Sequence, residues 1–124
     1  MTTLKLALAA ALFGALFANT ALADESKNLK VLSKEHKEKE IENGMKEMTK
    51  GLGVKCETCH VKDKADSDDK KPKLAGREFL TAVVGEKDAA KRKAALDTLL
   101  AALKLKAARS EAQIWKGVDT WKKQ

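Results

Sequence analysis

The chain has no tyrosine and one proline, and aromatic residues make up 4% of its 124 positions. It has only two cysteines, two histidines and three methionines. The scarcity of proline and the lack of alternating β-branched runs argue against sheet structure and for a chain read almost wholly as helix. No nucleophile–base pair or carboxylate dyad stands out, so the sequence points away from an enzyme. No aromatic-basic motif is present either, which argues against nucleic acid as a partner.

What is present is concentrated. Two of the three methionines, both cysteines and one histidine lie between Met45 and His60. The N-terminal segment, MTTLKLALAAALFGALFANTALA, is apolar with Lys5 as its one charge, and Ala21-Leu22-Ala23 supplies a small-x-small cleavage pattern. It therefore reads as a Sec-type signal peptide over residues 1–23, with an exported, periplasmic domain over 24–124. The whole chain carries 25 Lys and Arg against 18 Asp and Glu, a net charge of +7. Loss of Lys5 leaves 24 against 18, or +6. These charges are interleaved rather than blocked, which describes a solvated helical surface. A surplus of this sign also favours acidic protein partners or an anionic membrane surface.

The periodicity predicts four helices. The first runs from about Lys34 to Lys50, capped by Ser33 and ended by Gly51 and Gly53. A polar loop, KDKADSDDKK, reads as too hydrophilic to pack. Pro72 opens a second helix over roughly Lys73–Val84, and Gly85 breaks it. A third spans about Asp88–Ala108 with Leu96, Leu99, Leu100 and Leu103 at helical spacing. Ser110 and Gln113 form a capping-box pair for a last helix, with Ile114, Val118 and Trp121 on one stripe and Trp115 beside it. The apolar positions are few for four helices to share, so something other than side chains is expected in the middle. The fold class is all-α, a small bundle around that centre.

Cys56-Glu57-Thr58-Cys59-His60 is the C-x-x-C-H pattern of c-type haem attachment. Two thiols one helical turn apart reach the two vinyl groups on one edge of a porphyrin, and the adjoining imidazole serves as proximal ligand to iron. Zinc wants four ligands, and His36 is the only further soft candidate. A thioredoxin-like pair needs a βαβ context, and a plain disulfide leaves His60 without a role. The reading is therefore one covalent haem c held by Cys56 and Cys59, with His60 on the iron.

A second axial ligand comes from Met45, Met48 or His36. At about 100° per residue, Leu52, Ile41 and Met48 lie roughly 20°, 40° and 60° from Met45, whereas His36 falls near 180°. A helix that lays Ile41, Met45, Met48 and Leu52 on the haem thus points His36 to water. The angles do not choose between Met45 and Met48. Thioether ligation raises the reduction potential and, with both axial places filled, suits electron transfer. An open or exchangeable sixth position instead describes a gas-binding or haem-sensing protein. Lys55, Lys62 and Lys64, beside the attachment motif, are candidates for orienting an acidic redox partner.

Asn-Leu-Lys-Val-Leu at 28–32, Met-Lys-Glu-Met-Thr at 45–49, the C-x-x-C-H-V segment at 56–61 and ADSDDKKPK at 65–73, followed by Arg77, occur in one order. That order resembles the photosynthetic reaction-centre cytochrome c subunit and its small haem-protein relatives. In that family a helix and a turn lead to a second helix that begins at C-x-x-C-H. The resemblance implies Met45 as distal ligand, His60 as proximal ligand, and Cys56 and Cys59 as thioether attachments. It covers about half of the mature chain, from Asn28 to Leu80. The single attachment motif implies one haem where the reaction-centre subunit has four, and the aromatic residue that often follows M-x-x-M-T is replaced here by Lys50-Gly51.

Overall fold

The computed structural model of the chain describes residues 28–124, so the expected signal peptide and its cleavage point lie outside the described residues. Within them are five helices: α1 (Glu38–Leu52), α2 (Cys56–Cys59), α3 (Lys71–Val83), α4 (Ala89–Ala102) and α5 (Glu111–Val118). No β-strand occurs among the described residues, only two isolated bridges, and none of their helices is long and apolar enough to cross a membrane. The all-α expectation holds.

The helices pack as two pairs, α1 on α5 and α3 on α4, with a smaller contact between α2 and α3. Leu96, Ile114, Val83, Val118 and Ile41 are completely enclosed. Burial of such a side chain is worth roughly 1.5–3 kcal/mol relative to exposure. Phe79 of α3 stacks on Trp115 of α5 with ring centroids 5.8 Å apart. The Arg92 guanidinium of α4 lies 4.8 Å over the same indole and pairs with Asp119. One aromatic pair therefore joins three helices.

Glycines set the distance between α1 and α5. A Cβ at Gly44 would lie 2.3 Å from the Trp121 ring, and one at Gly117 would lie 2.6 Å from the Gly44 carbonyl oxygen. At Gly51 a Cβ would meet Ile114 at 2.6 Å and the Ser110 carbonyl at 2.7 Å. Trp121 also donates from Nε1 to the Glu40 carbonyl, at 3.3 Å. Gly51 is thus a packing residue inside the last turn of α1, not its terminator. Gly53, at φ 82°, closes the helix: its N–H bonds to Lys50 and the Val54 N–H to Thr49.

Three other boundaries differ from expectation, each for a local reason. Ser33 does not cap α1. Its hydroxyl accepts from Glu35 N at 3.2 Å and its carbonyl from His36 N at 3.2 Å, so residues 34–37 form a turn before the helix starts at Glu38. The α4 helix ends at Ala102, not at 108, although no glycine is present. Lys104 takes φ 58°, its N–H bonds to Ala101 and that of Leu105 bonds to Leu100, a Schellman closure built on lysine. At the start of α5, Ser110 accepts from Gln113 N, but the Gln113 side chain reaches Glu47 at 3.1 Å rather than returning to Ser110.

Residues 31–33 are clasped to the C-terminal tail: Ser33 N donates to Lys122 O and Gln124 N to Val31 O. His36 completes the clasp. Its Nε2 accepts from Lys122 N at 2.8 Å and its Nδ1 donates to Glu40 Oε2 at 2.9 Å. With a side chain 8% exposed, His36 is structural and enclosed, which corrects the expectation that it points to water.

Candidate haem-binding cavity

One side of the molecule is hollow. A cavity of about 630 Å³ is bounded by residues 28–32, α1, the C-x-x-C-H segment and α3. Native cores hold few voids larger than a water molecule, and cavities of roughly 300–1,000 Å³ are the range of ligand sites. Side chains fill the core between the helix pairs, contrary to the expectation of a space in the middle, and the cavity lies to one side of that core, with Leu32, Ile41, Met48 and Leu80 shared between the two.

Cys56, Cys59 and His60 all line this cavity. The thiols are free, Cys56 exposed and Cys59 half-buried. Burial pushes the Cys59 thiol up, further favouring its protonated form. The turn that carries them is held by Thr58 N to Lys55 O at 3.0 Å and His60 N to Cys56 O at 2.9 Å. Helix α2 ends there. His60 is extended at φ −104° and ψ 144°, and Asp63 turns the chain at φ 60°. The second helix implied by the resemblance thus amounts to a single turn at the motif, and α3 starts only at Lys71. The charged residues after Val61 offer no apolar face to pack as a continuation.

His60 has its Nδ1 committed to the Ala65 carbonyl at 3.1 Å. A carbonyl can only accept, so Nδ1 carries the proton and Nε2 keeps the lone pair available to a metal. Burial, with the charges of Lys73 and Lys70, pushes the imidazole pKa down against the raising effect of the Ala65 bond. The ring is therefore neutral at pH 7, the form that ligates.

From α1, Ile41, Met45 and Met48 face the same cavity. Leu52, expected on that stripe, is instead buried in the core and does not line it. The two methionines differ in cover: Met48 is 6% exposed and belongs to the core, whereas Met45 is half-buried at its edge. His36 is on the clasp and does not line the cavity.

The loop expected not to pack is pinned. Asp68 takes a bidentate pair from Arg77, at 3.0 and 3.2 Å, and a bond from Asn28 Nδ2 at 2.9 Å. Lys73 Nζ lies 3.1 Å from Asp68 Oδ1 as a charge contact without hydrogen-bond geometry, and Lys30 lies 3.9 Å from Oδ2. Arg77, then Asn28 and Lys73, hold the Asp68 carboxyl far below the usual carboxylate range. Sequence reasoning placed Asn28, Asp68 and Arg77 within recognised segments but missed that they meet, because the contacts span 9 and 40 residues. Lys73 was missed because one lysine at the start of a helix, beside several others, carries no signal.

The residues fit a flat, apolar, acid-bearing group. Gly76, inside α3, lines the cavity, and a Cβ there would meet no atom within 4 Å. Two thiols one turn apart, an imidazole with a free Nε2 and two thioethers from another helix form a donor set suited to iron porphyrin. Among the described residues no three His, Cys, Asp or Glu side chains converge as a metal-ion group. No protein-family model, curated protein or solved structure matches this chain.

Proposed function

We propose that the chain is a periplasmic monohaem c-type cytochrome that carries single electrons between redox partners, a relative of the reaction-centre cytochrome c subunit. The observation that carries the reading is that both thiols and the imidazole of C-x-x-C-H line one 630 Å³ cavity that Met45 and Met48 also line. When bound, haem c supplies a one-electron ferric–ferrous couple. Cys56 and Cys59 hold it through thioether bonds, and His60 offers Nε2 as proximal ligand while Ala65 fixes its orientation. Met45 would be the distal ligand: both methionines line the cavity, but Met48 is largely buried in the core, whereas Met45 is only half covered. With His60 and Met45 both on the iron, a bound haem would leave no open position for substrate, which suits electron transfer.

Lys55, Lys62 and Lys64 are exposed around the attachment motif, where they orient an acidic partner; an anionic membrane surface would be met by the same charges. Electron-transfer rates should then fall with rising salt, and a rate indifferent to ionic strength dismisses steering. The decisive experiment is a pyridine haemochrome assay on protein made with a cytochrome c maturation system. One haem per chain is expected, and colourless protein overturns the proposal. Carbon monoxide then tests the ligation: native ferrous protein should ignore it, and prompt binding would favour a gas-binding or sensing role.

A further inference from the structure

The cavity wall contains a cation with unused binding capacity. The Lys73 side chain is 10% exposed, and its ammonium nitrogen is fully buried with no hydrogen bond. Its one contact is the charge of Asp68, and that carboxylate is already engaged by the two Arg77 bonds and the Asn28 amide. Lys30, Lys73 and Arg77 thus gather around a single acid. Within that cluster three positive charges meet one negative, and all three cations line the cavity. Glu42 is paired with Lys46 at 2.8 Å, and no ion pair joins Glu57, Asp63 or Asp66 to the three cations.

A buried ammonium with donors unused is costly unless an anion completes its shell. Asp68, at 3.1 Å, is the one protein charge beside this nitrogen, and the Lys73 side chain that carries it lines the space left for the ligand. Gly76 and Arg77 follow on the same cavity-facing side of α3, bare backbone beside a second cation. We propose that Lys73 binds an ionised propionate of the haem, with Asp68 acting as the anchor that holds Lys73 and Arg77 in place. This rests on the porphyrin reading of the cavity. Lys73 is then a positioning and tuning residue. Its charge offsets a carboxylate near the iron and so favours the ferrous state.

The test uses matured, haem-loaded protein. In Lys73→Met, and in Lys73→Gln as a second variant that keeps a donor without charge, the propionate carboxylate bands in the redox-induced infrared difference spectrum should shift. The midpoint potential should fall by the equivalent of about a tenfold change in the one-electron equilibrium, ~59 mV. Lys73→Arg should restore the potential. Asp68→Asn breaks the same ion pair but removes a negative charge, so its midpoint should rise. A purely structural Lys73–Asp68 pair predicts shifts of one sign for both. Unmoved carboxylate bands in coloured Lys73→Met and Lys73→Gln proteins overturn the proposal alone. Wild-type protein that matures without colour removes the porphyrin reading as well.

Discussion

Two neighbouring stripes of α1 teach opposite lessons about small and large side chains. On the face toward α5, Gly44 and Gly51 bring backbone against Trp121, Ile114 and the Gly44–Gly117 contact, leaving no room even for a methyl group. Beside it on the same helix, Ile41, Met45 and Met48 line a cavity of about 630 Å³. The seam is closed by removing side chains, and the cavity is kept open by not filling it. The glycines of α3 and α5 repeat the contrast, because Gly117 is crowded while Gly76 faces nothing.

The comparison breaks most completely at the attachment motif. Replacing His60 with alanine, or both Cys56 and Cys59 with serine, should abolish stable covalent haem, read as loss of colour after denaturing electrophoresis. Retained colour in the double serine variant would falsify covalent attachment. Next in size, Gly117→Ala and Gly44→Ala should destabilise the loaded protein by about 1–3 kcal/mol or more, because overpacking outweighs the helix propensity gained. Thermal unfolding measures this, and an unchanged melting temperature would mean that the seam is looser than drawn. Met45→Ala should leave the seam untouched and open the sixth iron position, seen as high-spin character and carbon monoxide binding. Native ligation in that variant would shift the distal role to Met48.

Smaller effects sharpen the same contrast. The Asp68 pKa is depressed in the folded state, so its stabilisation is present above its ordinary value of 3.8 and is lost as pH falls below it. Asp68→Asn should remove that portion of the acid dependence, visible in melting temperatures followed from pH 6 down to pH 3. Finally, Lys104→Gly should stabilise by about 1 kcal/mol by relieving the left-handed lysine that closes α4. That change touches neither seam nor cavity, and haem content should not alter.

Much of this was legible in local pattern. Pro72 lies in the first turn of α3, Asp88 caps α4, and Gly53 and Gly85 take the positive φ that their positions require. The stripe of Ile114, Val118 and Trp121 is buried as its spacing implied. Ser33 and His36 were misread because each has two valid local roles. A serine before a helix can cap it or form a turn, and the Lys122 amide, 86 residues away, is what holds His36 inward. Lys104 was illegible because the Schellman closure usually advertises itself by glycine.

Helical periodicity, turn residues and the C-x-x-C-H spacing are short-range properties, and the amino-acid order was enough to determine them: an all-α chain with two thiols and an imidazole one turn apart. Only tertiary packing decided that Gly44 and Gly117 meet, that His36 holds the C-terminal tail at Lys122, and that Asp68 gathers Asn28, Lys73 and Arg77 at the cavity wall. Those contacts depend on how closely helices approach and on which buried charge lacks a partner. Both are set by the whole chain closing around a space, and neither is written in any one segment.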